Sequence, residues 1–247
     1  MAKIRRTWIF SLAYNSPRMV RESIEHTLKN NELNFDHKLI LMDVKYPIGG
    51  VVQNSIEMQQ ISRDYNFTYL RPYKNRGVSG NWNWFLKEVE AHPEDIVYCI
   101  CPDGRVQKPN WISAIKDVFE TEDDAYCICP NQHKFTGGDI TVEQRQTPNG
   151  VNYLSLSRLV AWSLAAFKVE PLKIIGGLKE KRPFYGFIED ATHDVASKFG
   201  YNFYKLKDYY DNHIYDVDEH YRMWKDLQVQ GLITLDLETW LKKENLI

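Results

Sequence analysis

The stretch Thr7-Trp8-Ile9-Phe10-Ser11-Leu12-Ala13-Tyr14-Asn15-Ser16-Pro17 decides the fold. Thr7 to Ala13 is a short apolar run bounded by polar residues, the pattern of a buried strand. The helix begins at once behind it. Ser16 suits an N-cap, and Pro17 suits the first helical position, where its missing N–H costs nothing. Val20, Ile24 and Leu28 follow at intervals of four on one face, and Asn30-Asn31 ends the helix.

The same strand-then-helix unit recurs down the chain. Lys38 to Asp43 is a second strand, and Leu39-Ile40-Leu41-Met42 implies burial on both of its faces. A helix over about Gln53 to Asp64 leads to a third strand at Phe67 to Leu70. Lys74 to Asn81 is a turn-rich loop feeding a helix with Trp84, Phe85, Leu86 and Val89, which stops before Pro93. Trp82 and Trp84, two apart, cannot share a helix face, so at most one of them is core. Asp95 to Cys101 is a fourth strand, and Pro102-Asp103-Gly104 turns out of it. Pro109 to Glu120 is an amphipathic helix, and Ala125 to Cys129 a fifth strand. This alternation predicts an α/β fold, a Rossmann-like, doubly wound, mostly parallel sheet with helices on both faces. Ligands of such sheets bind outside the carboxyl ends of the strands, where Tyr14-Asn15, Asp43 and Pro102-Asp103-Gly104 fall.

The second half is less regular. Asn131 to Gly150 reads as a long polar loop, and Leu154 to Phe167 as an apolar segment packed on the sheet. Glu189-Asp190 precedes a helix to Phe199 that ends at Gly200, and Tyr201 to Leu206 reads as a strand. Lys207 to His220, crowded with Asp, Tyr and His, reads as a lid or site loop in which Tyr209, Tyr210 and Tyr215 are candidate acceptor contacts. A final amphipathic piece ends at Leu241. Nothing reads as a linker, so residues 1–247 are expected to form one domain.

Composition narrows the function. The 247 residues are 43% hydrophobic and 26% charged, which excludes disordered and disulfide-scaffold classes. Thirty-one Lys and Arg against thirty-three Asp and Glu give a net charge of −2, which disfavours a globally basic nucleic-acid binder. No apolar run approaches the ~20 residues that span a bilayer, and the basic start Met1 to Arg6 is followed by a strand, so the expected location is cytoplasmic. The four cysteines form two pentapeptides, Tyr98-Cys99-Ile100-Cys101-Pro102 and Tyr126-Cys127-Ile128-Cys129-Pro130. Zinc is one reading. The other is a pair of central strands carrying buried thiols, because alternation puts both cysteines of a pair on one face and free Cys packs as a small hydrophobe.

The order of motifs over residues 7–213 resembles a family-2-type glycosyltransferase with the GT-A fold. Ala13-Tyr14-Asn15 with Pro17 resembles that family's entrance to the nucleotide pocket. Asp43 stands where the family carries an acid near the nucleoside. Asn75-Arg76-Gly77 and the later Asn83 resemble its Asn-x-Gly loop and helix Asn. Pro102-Asp103, eight residues before Trp111, resembles the Asp-x-Asp turn that binds metal. Glu189-Asp190 resembles the Glu-Asp motif whose Asp is the catalytic base, and His213 resembles the late His near metal and diphosphate. Three positions depart from the pattern: Cys101 replaces the first acid of the turn, Thr192 a later Asp, and Ala196 stands near the usual helix Arg. Cys is a poor ligand for hard ions such as manganese or magnesium.

The resemblance implies a nucleoside-diphosphate-sugar donor, UDP-sugar favoured, bound by residues 1–130, and an acceptor, a glycan or modified DNA bases, bound by residues 131–247. It implies a divalent metal, manganese or magnesium, held by Asp103 and His213, and inversion with Asp190 as base. Glu189 is the alternative base, or orients the acceptor. Without metal, Lys74, Arg76 or Arg105 is placed to neutralise phosphate. A nucleotidyltransferase would want a Gly-rich loop with Lys or Arg after the first strand, and Ala13 to Ser16 is not one. A non-catalytic nucleotide- or carbohydrate-binding protein is the other alternative, and Cys101 speaks for it.

Overall fold

The computed structural model describes residues 4–13, 16–33, 37–44, 51–73, 75–132, 140–158, 164–181, 188–212, 223, 226–227, 230, 232 and 237–245. Strands are β1 (Thr7–Ala13), β2 (His37–Asp43), β3 (Thr68–Leu70), β4 (Ile96–Ile100), β5 (Ala125–Gln132), β6 (Ile140–Gln146), β7 (Asn152–Arg158), β8 (Ala166–Lys168) and β9 (Asn202–Asp211). Helices are α1 (Pro17–Lys29), α2 (Val51–Asp64), α3 (Gly77–Glu88), α4 (Trp111–Thr121), α5 (Val169–Ile174), α6 (Ile188–Ala196) and α7 (Leu237–Lys243). All the strands join one nine-stranded sheet in the order β3-β2-β1-β4-β8-β5-β9-β7-β6. Only β7 and β8 run against the other strands.

Alternation along the strands builds two cores. Ile9, Leu41, Tyr98, Ile128 and Tyr204 face one side, where α1, α2 and α4 contribute Ile24, Met58 and Trp111. Phe10, Met42, Cys99, Cys127 and Phe203 face the other, covered by Phe85 of α3, Leu172 of α5 and Ile188 of α6. Helices on both faces are what a sheet buried on both faces requires. Phe10 stacks on Phe85 at 4.1 Å between ring centres and meets Trp82 edge-on at 5.0 Å. Trp82 is therefore the core residue of the Trp82/Trp84 pair.

The first half follows the expected alternation closely, and the second corrects it in three places. The expected loop at 131–150 holds β6, and its partner β7 lies in the segment expected merely to pack on the sheet. Within that same segment β8 enters the sheet between β4 and β5, so the two cysteine strands are central but not neighbours. The expected lid at 207–220 begins as strand, since β9 continues to Asp211; residues 213–222, with Tyr215 and His220, lie outside the described residues. Helix α3 also starts earlier than expected, at Gly77. Among the described residues no helix is long and apolar enough to cross a membrane.

Candidate functional site

The site is built at the carboxyl ends of four strands. β1 ends at Ala13, β2 at Asp43, β4 runs on into Cys101-Pro102-Asp103, and β9 ends at Asp211. Ala13 is buried, and its carbonyl accepts the Val44 N–H at 2.9 Å. Tyr14, Asn15, Lys74 and His213, four of the residues expected here, lie outside the described residues.

Asp43 is buried at the tip of β2. Its Oδ2 accepts the Ser55 hydroxyl at 2.8 Å and the Tyr69 hydroxyl at 2.6 Å. Burial first, and the Asp43 carboxylate second, push the Tyr69 hydroxyl up to about 12. Two neutral donors therefore fix the carboxylate without cancelling its charge.

The Asn75-Arg76-Gly77 turn is held from inside. Asn75 Oδ1 accepts the Gly77 N–H at 2.9 Å and the Asn81 side-chain amide at 2.8 Å. Asn81 Oδ1 accepts the Arg76 N–H at 3.2 Å. Gly77 has φ 73°, a left-handed conformation that favours glycine. The Arg76 guanidinium lies 4.7 Å from the centre of the Tyr73 ring and 5.5 Å from that of Trp84. Tyr73 is 76% exposed, so this stack faces outward.

Asn83 is spent elsewhere. Its Nδ2 donates to the Leu178 carbonyl at 3.0 Å, and its Oδ1 accepts the Leu178 N–H at 2.8 Å. This closes the 176–178 turn onto α3. Asn83→Ala leaves both backbone groups of Leu178 without that partner and should cost about 1–2 kcal/mol. A thermal melt checks it; a loss of nucleotide affinity with unchanged stability would instead mean that Asn83 touches the donor.

The Asp103 turn is pinned from two sides. From α1, the Ser23 hydroxyl donates to the Cys101 carbonyl at 2.8 Å, and the His26 ring meets the Val106 carbonyl at 2.8 Å. From β9, the Asn212 N–H donates to the Arg105 carbonyl at 2.9 Å, and Asp211 Oδ1 accepts the Arg105 N–H at 2.6 Å. Arg105, one of three candidates to neutralise phosphate in the absence of metal, is turned inward instead. Its guanidinium is buried and donates to the carbonyls of Pro102 at 2.6 Å, Gly104 at 2.8 Å and Met19 at 3.1 Å. Burial lowers its pKa, while the charges of Glu22, Asp103 and Asp211 act the other way. The Cys101 thiol is raised well above its ordinary value, by its hydrogen bond with Cys99 first and burial second, with Asp103 and Asp211 among the charges adding to it.

Glu189 and Asp190 occupy the first turn of α6, where the helix dipole favours carboxylates. The chain reverses at Gly200 into β9, so α6 runs against β9 and its first turn points toward the carboxyl ends. Thr192 is buried, and its hydroxyl accepts the Lys179 N–H at 3.0 Å. His193 packs edge-on against Phe203 at 4.3 Å, and burial lowers its pKa, which keeps it a neutral packing residue.

Among the described residues no group of three or more His, Cys, Asp or Glu is arranged to hold a metal ion. Cys99, Cys127 and Cys129 are buried in one hydrophobic core, the packing reading of the pentapeptides. For a hard divalent cation the donor set at the Asp103 turn does fit. Asp103 and Asp211, whose charges both act on the Arg105 guanidinium, offer oxygen, the donor type such an ion takes. A nucleotide diphosphate would complete such a shell. Sequence reading missed Asp211; its only signal was its place two residues before His213.

A search of solved structures finds the same arrangement of strands and helices. The mannosyltransferase PcManGT from Pyrobaculum calidifontis, solved with GDP-Man and Mn2+, superposes with TM-score 0.62 at 15% identity over 90% of this chain and 62% of that one. The fold is GT-A. GalNAc-T7, solved with UDP, GalNAc and Mn2+, gives TM-score 0.64 at 10% identity over 87% of this chain and 45% of that one. Residues 1–349 of S. aureus TarS, solved with UDP-GlcNAc, give 0.57 at 12% identity over 86% and 60%. The chain thus spans about half to three-fifths of the length of these structures. No family model and no curated protein matches the sequence.

Proposed function

We propose that this protein is a glycosyltransferase that moves a sugar from a nucleoside-diphosphate sugar, UDP-sugar favoured, to a hydroxyl of an acceptor glycan. What supports this reading is a GT-A sheet with Asp43 at the carboxyl end of β2 and Asp103 just past that of β4, together with the carboxylates Glu189 and Asp190 in the first turn of α6. Residues 1–130 bind the donor, and residues 131–247 contribute the acceptor side. Asp43 with its fixed carboxylate receives the nucleoside, the Asn75-Arg76-Gly77 turn borders the donor, and Asp103 lies beside the diphosphate. Asp103, with His213, would hold a divalent ion, which when bound would lend Lewis-acid stabilisation to the diphosphate leaving group.

Asp190 takes the proton of the acceptor hydroxyl as its oxygen forms the bond to the anomeric carbon. The bond from that carbon to the diphosphate oxygen breaks, and its electron pair leaves with the diphosphate. Attack opposite the leaving group inverts the anomeric centre, and Glu189 orients the acceptor.

Thermal stability against a panel of nucleoside diphosphates, with and without manganese, tests the donor site. A ligand at about 100 times its dissociation constant adds about 2.7 kcal/mol, a shift of several degrees. One diphosphate should stabilise the protein only with manganese and only while Asp103 is intact, so Asp103→Asn removes the shift. No shift with any nucleotide would sink the reading.

A further inference from the structure

We propose that Lys205 is the buried counter-charge of Glu189, and so positions the carboxylate that orients the acceptor. The positioning role rests on the transferase reading above; the ion pair itself does not.

Lys205 is a lysine inside the sheet, with 1% of its surface exposed. Phe203 and Tyr204 face opposite cores, so alternation along β9 turns Lys205 to the side of Phe203, Cys127 and Cys129. Its neighbours in register are Cys129 on β5 and Leu154 on β7, a buried thiol and an aliphatic chain. A buried ammonium is tolerated where an anion faces it.

Two contacts align α6 with β9 and locate that anion. The Ala196 carbonyl accepts the Tyr201 N–H at 3.2 Å, and the His193 ring packs edge-on against Phe203 at 4.3 Å. Helix and strand run in opposite directions, so a step back along α6 matches a step forward along β9. One helical turn back from His193, about 6 Å, is Glu189. Two residues on from Phe203, about 6.6 Å, is Lys205. The alignment therefore carries Glu189 over Lys205. His193 also stacks near Tyr126, with ring centres 6.2 Å apart, so this flank of α6 lies across β5 as well.

The surroundings agree. Burial above all raises the Tyr126 hydroxyl and the Cys127 thiol, and the charge of Glu189 adds to both. Other acids close to β9 are turned elsewhere. Glu122 and Asp124 accept the Tyr204 hydroxyl on the opposite face, and Asp208 accepts the Asn152 amide at 2.8 Å. Asp190 lies about 100° further round the helix than Glu189, away from the buried Ile188 and Thr192. The inner acid is thus held by the strand beneath it, and the outer one is left for the acceptor proton.

The test uses the full chain without nucleotide. Glu189→Gln strands the ammonium and should lower the melting temperature by about 6–12 °C. Adding Lys205→Met removes the stranded charge and should return at least half of that loss. If Glu189→Gln does not fold alone, folding of the double variant is the same result. Carboxyl 13C resonances then show which acid is paired, with the Glu189 and Asp190 signals assigned by their loss in Glu189→Gln/Lys205→Met and in Asp190→Asn. In Lys205→Met the titration midpoint of Glu189 should rise by at least about one pH unit, and that of Asp190 by less than half as much. A double variant that melts below Glu189→Gln, or a Glu189 midpoint that Lys205→Met leaves in place, overturns the inference while the transferase reading stands. A nucleotide panel without any shift removes the acceptor role and leaves the ion pair to these measurements.

Discussion

Asp190→Asn should lower kcat for sugar transfer by about 10²–10⁴-fold and leave nucleotide affinity within about threefold of wild type. Asparagine matches aspartate in size and can still accept a hydrogen bond, but it cannot take the proton of the attacking hydroxyl. The carboxylate sits in the first turn of α6, beside the N–H groups at the start of the helix. Its neighbour separates the roles. Glu189→Gln should raise KM for the acceptor more than it lowers kcat, because an orienting group acts in binding as well as in the transition state. Steady-state kinetics on both variants decides between them. If Glu189→Gln is the variant that loses two or more orders of magnitude in kcat while Asp190→Asn stays active, the two carboxylates exchange roles.

The sequence shows the first half of the chain clearly because that half is made of local signals. Thr7 to Ala13, then Pro17, then Val20-Ile24-Leu28 each speak for an element within a dozen residues, and the structure has those elements at those places. The same is true of Glu189-Asp190 and Gly200. The second half fails for a physical reason. β6 is an edge strand whose residues are nearly all exposed, so it carries no apolar alternation to read. β8 is three residues long, and its membership in the sheet is decided by β4 and β5 on either side, which no window of sequence contains. Asp211 was read as part of a lid because Lys207 to Asp211 is polar; what makes it strand is pairing with β5. Site residues follow the same division. Asp43 and Asp103 are marked by strand ends in their own sequence, whereas the Asn83 contact with Leu178 joins residues 95 apart and the Arg105 contact with Asp211 residues 106 apart.

Arg105 shows what that costs in functional inference, and it carries the second large expected effect. Read from sequence, Arg105 is one of three candidates, with Lys74 and Arg76, to neutralise phosphate if no metal binds. In the fold its guanidinium closes the turn onto α1. Arg105→Ala therefore strips a charged donor from the carbonyls of Pro102, Gly104 and Met19 and removes a positive charge on which Asp103 and Asp211 act. Unpaired buried groups cost about 1–3 kcal/mol each, so the total should reach at least about 3 kcal/mol. For a chain of this size that lowers the melting temperature by roughly 6–12 °C. Arg105→Lys should recover little of it, because a single ammonium cannot span three carbonyls that a planar fork reaches together. Differential scanning calorimetry without nucleotide reads the effect directly. A phosphate-binding arginine gives the opposite pattern, with an unchanged melting temperature in the apo protein and a weakened nucleotide shift, and that outcome would return Arg105 to the donor site.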